Sequence, residues 1–446
     1  MNERAVTIKD MKQNHHIIIV GGGFGGLYAA QALRHAPVKV TLVDKRNFHL
    51  FQPLLYQVAT GGLSPGEIAS PLRAVLHRQK NTWVLTAEVV DIDPHQQKVV
   101  LRDGEIFYDT LVVATGVRHH YFGHEEWAEE APGLKTVEDA LDIRRRILLA
   151  FEAAEREADP EHRRAWMTFV VVGGGPTGVE LAGALGELAH NTMKNDFRNF
   201  NPAEARILLI EGTDRVLPTY APELSAAAEP ALKRLGVTVR TRTLTTDIQN
   251  HAVTIREGER TEKIAARTIL WAAGMKASRL GQVLAERIGV ELDRAGRVVV
   301  APDLTIPGYA NIFVIGDLAN VVQDGKPLPG VAPVAMQQGR YVATQIQQRL
   351  KGRRVPAFRY RDKGSLAVIG RNAAVAEFGT LRLRGFPAWL IWIFVHIRYL
   401  IEFDNKLLVL IQWSWNYFTR KRGARLITGE GSLPAMKAFQ NQSEGD

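Results

Sequence analysis

HIIIVGGGFGG, residues 16–26, decides the fold. The run His16 to Val20 is short and apolar and breaks directly into glycine, the pattern of a buried parallel strand entering a turn and then a helix. Gly21, Gly23 and Gly26 stand at G-x-G-x-x-G spacing. The first permits a tight turn out of the strand, the second lets a pyrophosphate approach the backbone, and the third lets the helix pack closely on the strand. The helix N-terminus that follows offers free N–H groups and a positive dipole end to phosphate. Asp44 ends the next strand-like run, KVTLVDK (39–45), 18 residues after Gly26, where an acceptor for a ribose hydroxyl is expected.

The unit occurs twice. TFVVV (168–172) enters GGGPTG, which sets Gly173, Gly175 and Gly178 at the same spacing, and RILLIEG (206–212) follows with Glu211 at its end. Glu211 lies 33 residues after Gly178, beyond the usual ~20, and the insertion HNTMKNDFRNFNPAE accounts for the excess. A glutamate there accepts hydrogen bonds from both ribose hydroxyls and repels a 2′-phosphate, favouring NADH over NADPH, with Arg215 close enough to soften the preference. Two βαβ units argue for two dinucleotide-binding domains. Further strand-like runs are VLTAEVVDI (84–92), KVVLRDG (98–104), TLVVATG (110–116), VTVRTRT (237–243), TILWAAG (268–274) and NIFVIGD (311–317). Residues 139–164 read as one exposed helix, and 302–310 and 324–330 as loops.

The 446 residues contain no cysteine. Disulfide frameworks, thiolate zinc sites, cysteine-ligated iron–sulfur clusters and redox-active cysteine pairs are all excluded. The 13 histidines show no metal-ligand spacing, so no metal site is expected. The net charge of +9 is unevenly placed. Residues 340–430 hold 17 Lys and Arg against 5 Asp and Glu, leaving the remainder of the chain slightly acidic. Residues 386–403 and 407–418 are apolar and aromatic, with Trp389, Trp392, Trp413 and Trp415, and Arg420, Lys421, Arg422 and Arg425 follow. The longer run is interrupted by His396, Arg398 and Glu402 and is too short to span a bilayer, so the segment reads as an interfacial anchor on an anionic membrane surface. A dimer interface could bury part of the same surface. Basic residues interleaved with long aliphatic stretches give no nucleic-acid motif, and no nucleic-acid partner is expected. MNERAVTIKDMKQNHH has no apolar signal region, and a cytosolic-side location is expected.

The chain resembles the flavoproteins with two dinucleotide-binding domains. Ala114-Thr115-Gly116 is similar to their first crossover turn, Ala272-Ala273-Gly274 to the second, and Ile315-Gly316-Asp317 to their second FAD fingerprint. Within that superfamily, the run Phe51 to Gly61 (FQPLLYQVATG), GGGPTGVELAGAL (173–185), LPGVAPVAMQQGRYVA (328–343), KGSLAVIGRNAAVAEFG (363–379) and the C-terminal end resemble type II NADH:quinone oxidoreductases, over about residues 14–430. These are single-subunit enzymes on one face of a respiratory membrane that pump no protons. The resemblance implies FAD held by Gly21, Gly23, Phe24, Gly25, Gly26, Asp44, Lys45, Val89, Ala114, Thr115, Gly116, Gly316, Asp317, Ala335 and Met336. NADH would be held by Gly173, Gly175, Pro176, Thr177, Gly178, Glu211, Ala273 and Gly274. It further implies Glu180 beside the reacting rings, orienting nicotinamide or relaying a proton, and Gln337 and Gln338 on the quinone side. Family members carry a glutamine where this chain has Pro333, which leaves those two glutamines or backbone groups to compensate.

The expected fold is α/β, with two Rossmann-like domains and a C-terminal membrane-associating helical region. The FAD domain is drawn as 14–120 and 300–345, the NADH domain as 121–299, and the C-terminal domain as 346–446 with its anchor near 386–425. The expected function is oxidation of NADH through FAD with reduction of membrane ubiquinone or menaquinone, on the cytoplasmic face, as a homodimer. The alternatives are a soluble FAD-dependent NADH reductase of a small redox protein and an NADH-binding flavoprotein with a signalling role.

Overall fold

The structure, a computed structural model, describes residues 15–401 and 403–429. The N-terminal tail before His15 and Glu402 lie outside the described residues. The chain divides into two compact units. The first takes the described parts of Met1–Leu50, Ala69–Arg118 and Met275–Lys363, and the second those of Phe51–Ile68, His119–Gly274 and Gly364–Asp446.

The first unit is built on a six-stranded sheet. Its order is Thr305–Ile306, Tyr309–Val314, Thr110–Val113, His16–Val20, Lys39–Asp44 and Thr82–Thr86. Five strands are parallel and the edge strand Thr305–Ile306 is antiparallel. His16–Val20 is central because the sheet covers it on both edges, and Ile17, Ile18 and Ile19 are fully buried, as uninterrupted apolar strands in parallel sheets are. The chain steps from it to Lys39–Asp44 on one side and is joined by Thr110–Val113 on the other, so the Gly21 turn opens at the point where strand order reverses.

The second unit repeats the plan. Its four parallel strands run in the order Val237–Arg240, Arg206–Ile210, Thr168–Val172 and Thr268–Trp271, which puts the Gly173 turn at the equivalent reversal. An antiparallel sheet of Thr243–Gln249, Ala252–Glu257 and Arg260–Ala265 follows the parallel one in sequence. Another, Ser365–Gly370, Ala373–Phe378 and Leu381–Gly385, leads into helices Phe386–Tyr399 and Phe403–Thr419. No described helix is long and apolar enough to cross a membrane.

Several local expectations change. The helix expected over 139–164 is two. Val137–Arg156 begins with a capping box between Thr136 and Asp139, and it buries Ala140, Ile143, Ile147, Ala150, Phe151 and Ala154. Asp159 caps a second helix, Pro160–Trp166. The first is thus half-buried, its apolar face hidden in sequence by the charges between those positions. The run 84–92 splits into Thr82–Thr86 and Val89–Asp93, and 237–243 is broken after Arg240 by Arg242 at φ 50°. The loop 302–310 contains the edge strand Thr305–Ile306, and Val322–Gln323 pairs with Lys326–Pro327 in a hairpin. The chain returns to the first unit at Met275, ahead of residue 300, because helix Arg279–Ile288 packs on Val89–Asp93 and Arg287 pairs with Asp91. The C-terminal sheet and helices fall in the second unit.

Candidate functional site

The two glycine turns are near copies at atomic scale. A Cβ on Gly26 would lie 1.9 Å from the Gly21 carbonyl oxygen, and one on Gly178 would lie 1.8 Å from that of Gly173. Gly21 (φ +107°) and Gly173 (φ +105°) take backbone conformations that L side chains avoid, and each abuts the crossover turn of its own unit, at Ala114 and at Ala272. Gly23 and Gly175 behave differently. A Cβ at either would meet nothing within 4 Å, and each begins its helix without a side-chain cap. Both helices therefore present uncapped N-terminal amides on an open side, the arrangement that receives phosphate.

The acid of each unit has a role that spacing did not reveal. Asp44 Oδ2 accepts the Gly22 N–H at 2.6 Å and Oδ1 that of Arg46 at 2.7 Å. Glu211 Oε2 accepts the Gly174 N–H at 2.6 Å and Oε1 that of Thr213 at 2.7 Å. Each carboxylate pins the middle of its glycine turn, and the second lone pair on each oxygen stays suited to a ribose hydroxyl. His49, absent from the sequence reading, braces the first turn: its Nδ1 donates to the Gly22 carbonyl at 2.9 Å, and burial holds its pKa down to about 4. Phe24 meets that imidazole edge-on at 4.9 Å.

The remaining expected FAD residues lie in the first unit. Gly25 faces Ile315. Thr115 Oγ1 lies 2.5 Å from Ser278 Oγ, and the Gly116 carbonyl accepts the Ser278 N–H. Gly316 is left-handed at φ +71° with Ala335 beside it, and the Asp317 carboxyl lies against Gly330. Met336 is buried, Lys45 is exposed and Val89 opens the Val89–Asp93 strand. In the second unit, Pro176 and Thr177 start the helix Pro176–Glu187. Ala273 packs on the apolar cluster containing Val172, Ile210 and Trp271, and Gly274 (φ +72°) sits under the Phe122 ring.

Gln337 spends its amide on the backbone of Arg361. It donates to the Arg361 carbonyl at 2.9 Å and accepts the Arg361 N–H at 3.0 Å, so it ties the helix Ala332–Arg349 to the strap that follows. Gln338 is buried and its Oε1 accepts the Gly316 N–H at 2.6 Å, which makes it a brace of the Ile315-Gly316-Asp317 turn. Pro333 stands in the first turn of that helix, where a missing N–H costs nothing.

Glu180 sits one turn into the helix Pro176–Glu187, and its Oε1 accepts the Val368 N–H at 3.4 Å. The residue keeps a little exposed area, but the carboxyl is enclosed by protein, and that burial pushes its pKa up to about 8. It holds a proton at neutral pH. Burial raises the phenols of Tyr56 and Tyr220, and Glu180 raises them further once it ionises at alkaline pH. Glu187, two turns further along the same helix, pairs with Arg422 at 3.0 Å, and Arg422 donates to the Thr60 carbonyl. Tyr56 and Gln57 lie in the FQPLLYQVATG run, but Tyr220 and Arg422 are too distant in sequence for any local signal to join them to Glu180.

Half of the C-terminal basic flank is paired within the fold. Arg422 is taken up by Glu187 and Arg425 pairs with Asp196, which leaves Arg420 and Lys421 as the exposed cations of the four. The helices before them expose Phe394 (71%) and Phe418 (82%), along with Ile411 and Trp415.

Two glycine turns at strand-order reversals, each with its own acid and open amides, define an oxidoreductase of the class that binds two dinucleotides. Residues 15–339 match the family model of pyridine nucleotide-disulphide oxidoreductases, and residues 363–422 match the NDH2 C-terminal domain. The chain is 46% identical over 437 residues to a type II NADH:quinone oxidoreductase of Mycobacterium tuberculosis, covering 96% of this chain and 93% of that protein. A Staphylococcus aureus type II NADH:quinone oxidoreductase is 30% identical, covering 80% of this chain and 88% of its own length. NDH2 of Plasmodium falciparum in complex with NADH shares the fold at TM-score 0.86 and 22% identity, covering 94% of this chain and all of that one. The chain belongs to the type II NADH:quinone oxidoreductase family. The resemblance read from its motifs is confirmed, and the disulphide chemistry in the broader family's description has no cysteine here to carry it.

Proposed function

We propose that this chain is a peripheral-membrane flavoenzyme that oxidises NADH and reduces a membrane quinone without pumping protons. The observation that carries the reading is the pair of matched glycine turns, one per unit, each with open N-terminal amides and a pinned acid. The residues fit FAD in the first unit: the Gly21–Gly26 turn and Asp44 suit its adenosine diphosphate, and Asp317 beside left-handed Gly316 suits its ribityl chain. When bound, FAD supplies two-electron acceptance from NADH and two-electron delivery to quinone. The Gly173–Gly178 turn holds the NADH pyrophosphate and Glu211 its ribose. Glu180 keeps a proton available at neutral pH in the second unit. The exposed aromatic and aliphatic faces of Phe386–Tyr399 and Phe403–Thr419, with Arg420 and Lys421, seat the protein on an anionic membrane on the cytoplasmic side. A second copy would share part of that surface in a homodimer.

Steady-state NADH oxidation by the FAD-loaded protein, with and without ubiquinone and menaquinone analogues, tests this. Turnover is expected to depend on quinone, with NADH preferred over NADPH. Rapid flavin reduction without quinone turnover would overturn it.

A further inference from the structure

Helix Leu55–Ala59 of the second unit carries a hydrogen-bond chain with a fixed polarity. Trp413 Nε1 donates to Gln57 Oε1 at 2.8 Å, and Gln57 Nε2 donates to the Tyr56 hydroxyl oxygen at 2.8 Å. An indole N–H can only donate. It therefore makes the Gln57 oxygen the acceptor and decides the amide orientation, which leaves the amide nitrogen to face the phenol. The Tyr56 oxygen is thereby held as an acceptor, and its own proton must be given elsewhere.

Among the described residues no acceptor takes that proton, although Tyr56 is only 6% exposed. The groups around the phenol are Glu180 and Glu187 on one helix and Arg422 from the C-terminal strap. A buried hydroxyl whose proton is aimed and unpartnered is costly to keep, and the fold keeps it firmly. Thr60 Oγ1 bonds the Tyr56 carbonyl, Asn416 donates to the Gly62 carbonyl, and Arg422 to that of Thr60.

We propose that the Tyr56 phenol is a committed hydrogen-bond donor to a carbonyl oxygen of the quinone head, and that Gln57 and Trp413 are the positioning residues that set its direction. This rests on the quinone-reductase reading above. An oxidised quinone ring offers acceptors at its two carbonyls, which matches a site that has a donor to give. The chain begins on helix Phe403–Thr419, which also exposes Ile411, Trp415 and Phe418, apolar surface suited to an isoprenoid tail. The phenol stays protonated throughout the working pH range, because burial and the neighbouring carboxylates raise it.

The test uses FAD-loaded full-length protein bearing Tyr56→Phe, Trp413→Phe, Gln57→Glu or the Tyr56→Phe/Trp413→Phe pair, with a short-chain ubiquinone and menadione as probes. Tyr56→Phe should raise KM for both quinones about tenfold, with a much smaller change in KM for NADH. Trp413→Phe keeps the ring but frees the amide, and should raise quinone KM severalfold. The double variant should be no worse than Tyr56→Phe, since Trp413 acts only through the phenol. Gln57→Glu is nearly isosteric, but its carboxylate can accept the phenol proton, so it should match Tyr56→Phe. A Gln57→Glu enzyme with unchanged quinone KM would overturn the polarity argument. Additive effects in the double variant would reduce Trp413 to a packing role. A rise confined to KM for NADH would give the phenol to nicotinamide. Unchanged quinone KM in Tyr56→Phe, with turnover intact, would sink the inference and leave the enzyme's function standing, whereas a wild-type protein with no quinone turnover would sink that function itself. FAD content and melting temperature check folding, and Trp413→Phe with Gln57→Glu decides the matter should Tyr56→Phe fail to load FAD.

Discussion

Glu180 concentrates the residue-scale physics. Its carboxyl is raised from an ordinary value of 4.5 to about 8 by burial, against one weak backbone hydrogen bond from Val368. The native protein thus binds a proton that the unfolded chain releases between those two values. Stability conferred at this position is fullest below about pH 4.5 and is lost as pH rises towards 8. A glutamine does not titrate, so the melting temperature of the wild type should fall relative to Glu180→Gln across that window, as scanning calorimetry of the FAD-loaded proteins would show. A flat difference would mean an ordinary carboxylate. Quinone turnover in Glu180→Gln should drop at least tenfold and lose its alkaline limb near pH 8, on the usual scale of a removed proton-handling group.

At the scale of elements, the helix Pro176–Glu187 carries Glu180 and Glu187 on one face, two turns apart, so whatever grips the second steadies the first. Arg422 is that grip. Arg422→Met would leave Glu187 without its partner in a partly buried place, at a cost on the order of 2 kcal/mol. A thermal midpoint several degrees lower is expected, with Lys421→Met, on an exposed neighbour, unchanged in the same melt. Equal midpoints would mean that the pair is solvated. What the sequence discloses follows the same division by distance. The glycine turns and their acids were legible because strand, turn, helix and acid follow one another directly. The tie of Gln337 to Arg361 is not legible in sequence, because Arg361 belongs to a strap with no pattern of its own. The four C-terminal cations read alike as letters, and the fold turns two of them inward through Glu187 and Asp196. Nothing in the FQPLLYQVATG run singles out Tyr56 and Gln57, because their chemistry is set by the distant Trp413.

For the whole molecule, the basic C-terminal block is less exposed as charge than its composition suggests. Arg349, Arg359, Arg382, Arg422 and Arg425 pair with acids from outside the 340–430 segment. Membrane seating should therefore rest chiefly on the exposed rings and aliphatics of the last two helices. In vesicle flotation, most binding to anionic liposomes should survive roughly 0.5 M salt, where the screening length is about 4 Å. Complete release there would make charge the anchor. The Trp413 to Gln57 contact joins residues 356 apart. A ribosome adding about 5–20 residues per second delivers the second partner roughly 20 to 70 s after the first. Until then a nascent chain can complete its first nucleotide fold, but the Tyr56 hydroxyl has nothing to orient it. On the role proposed for Tyr56, competence towards quinone would therefore arrive late in synthesis, with the two C-terminal helices.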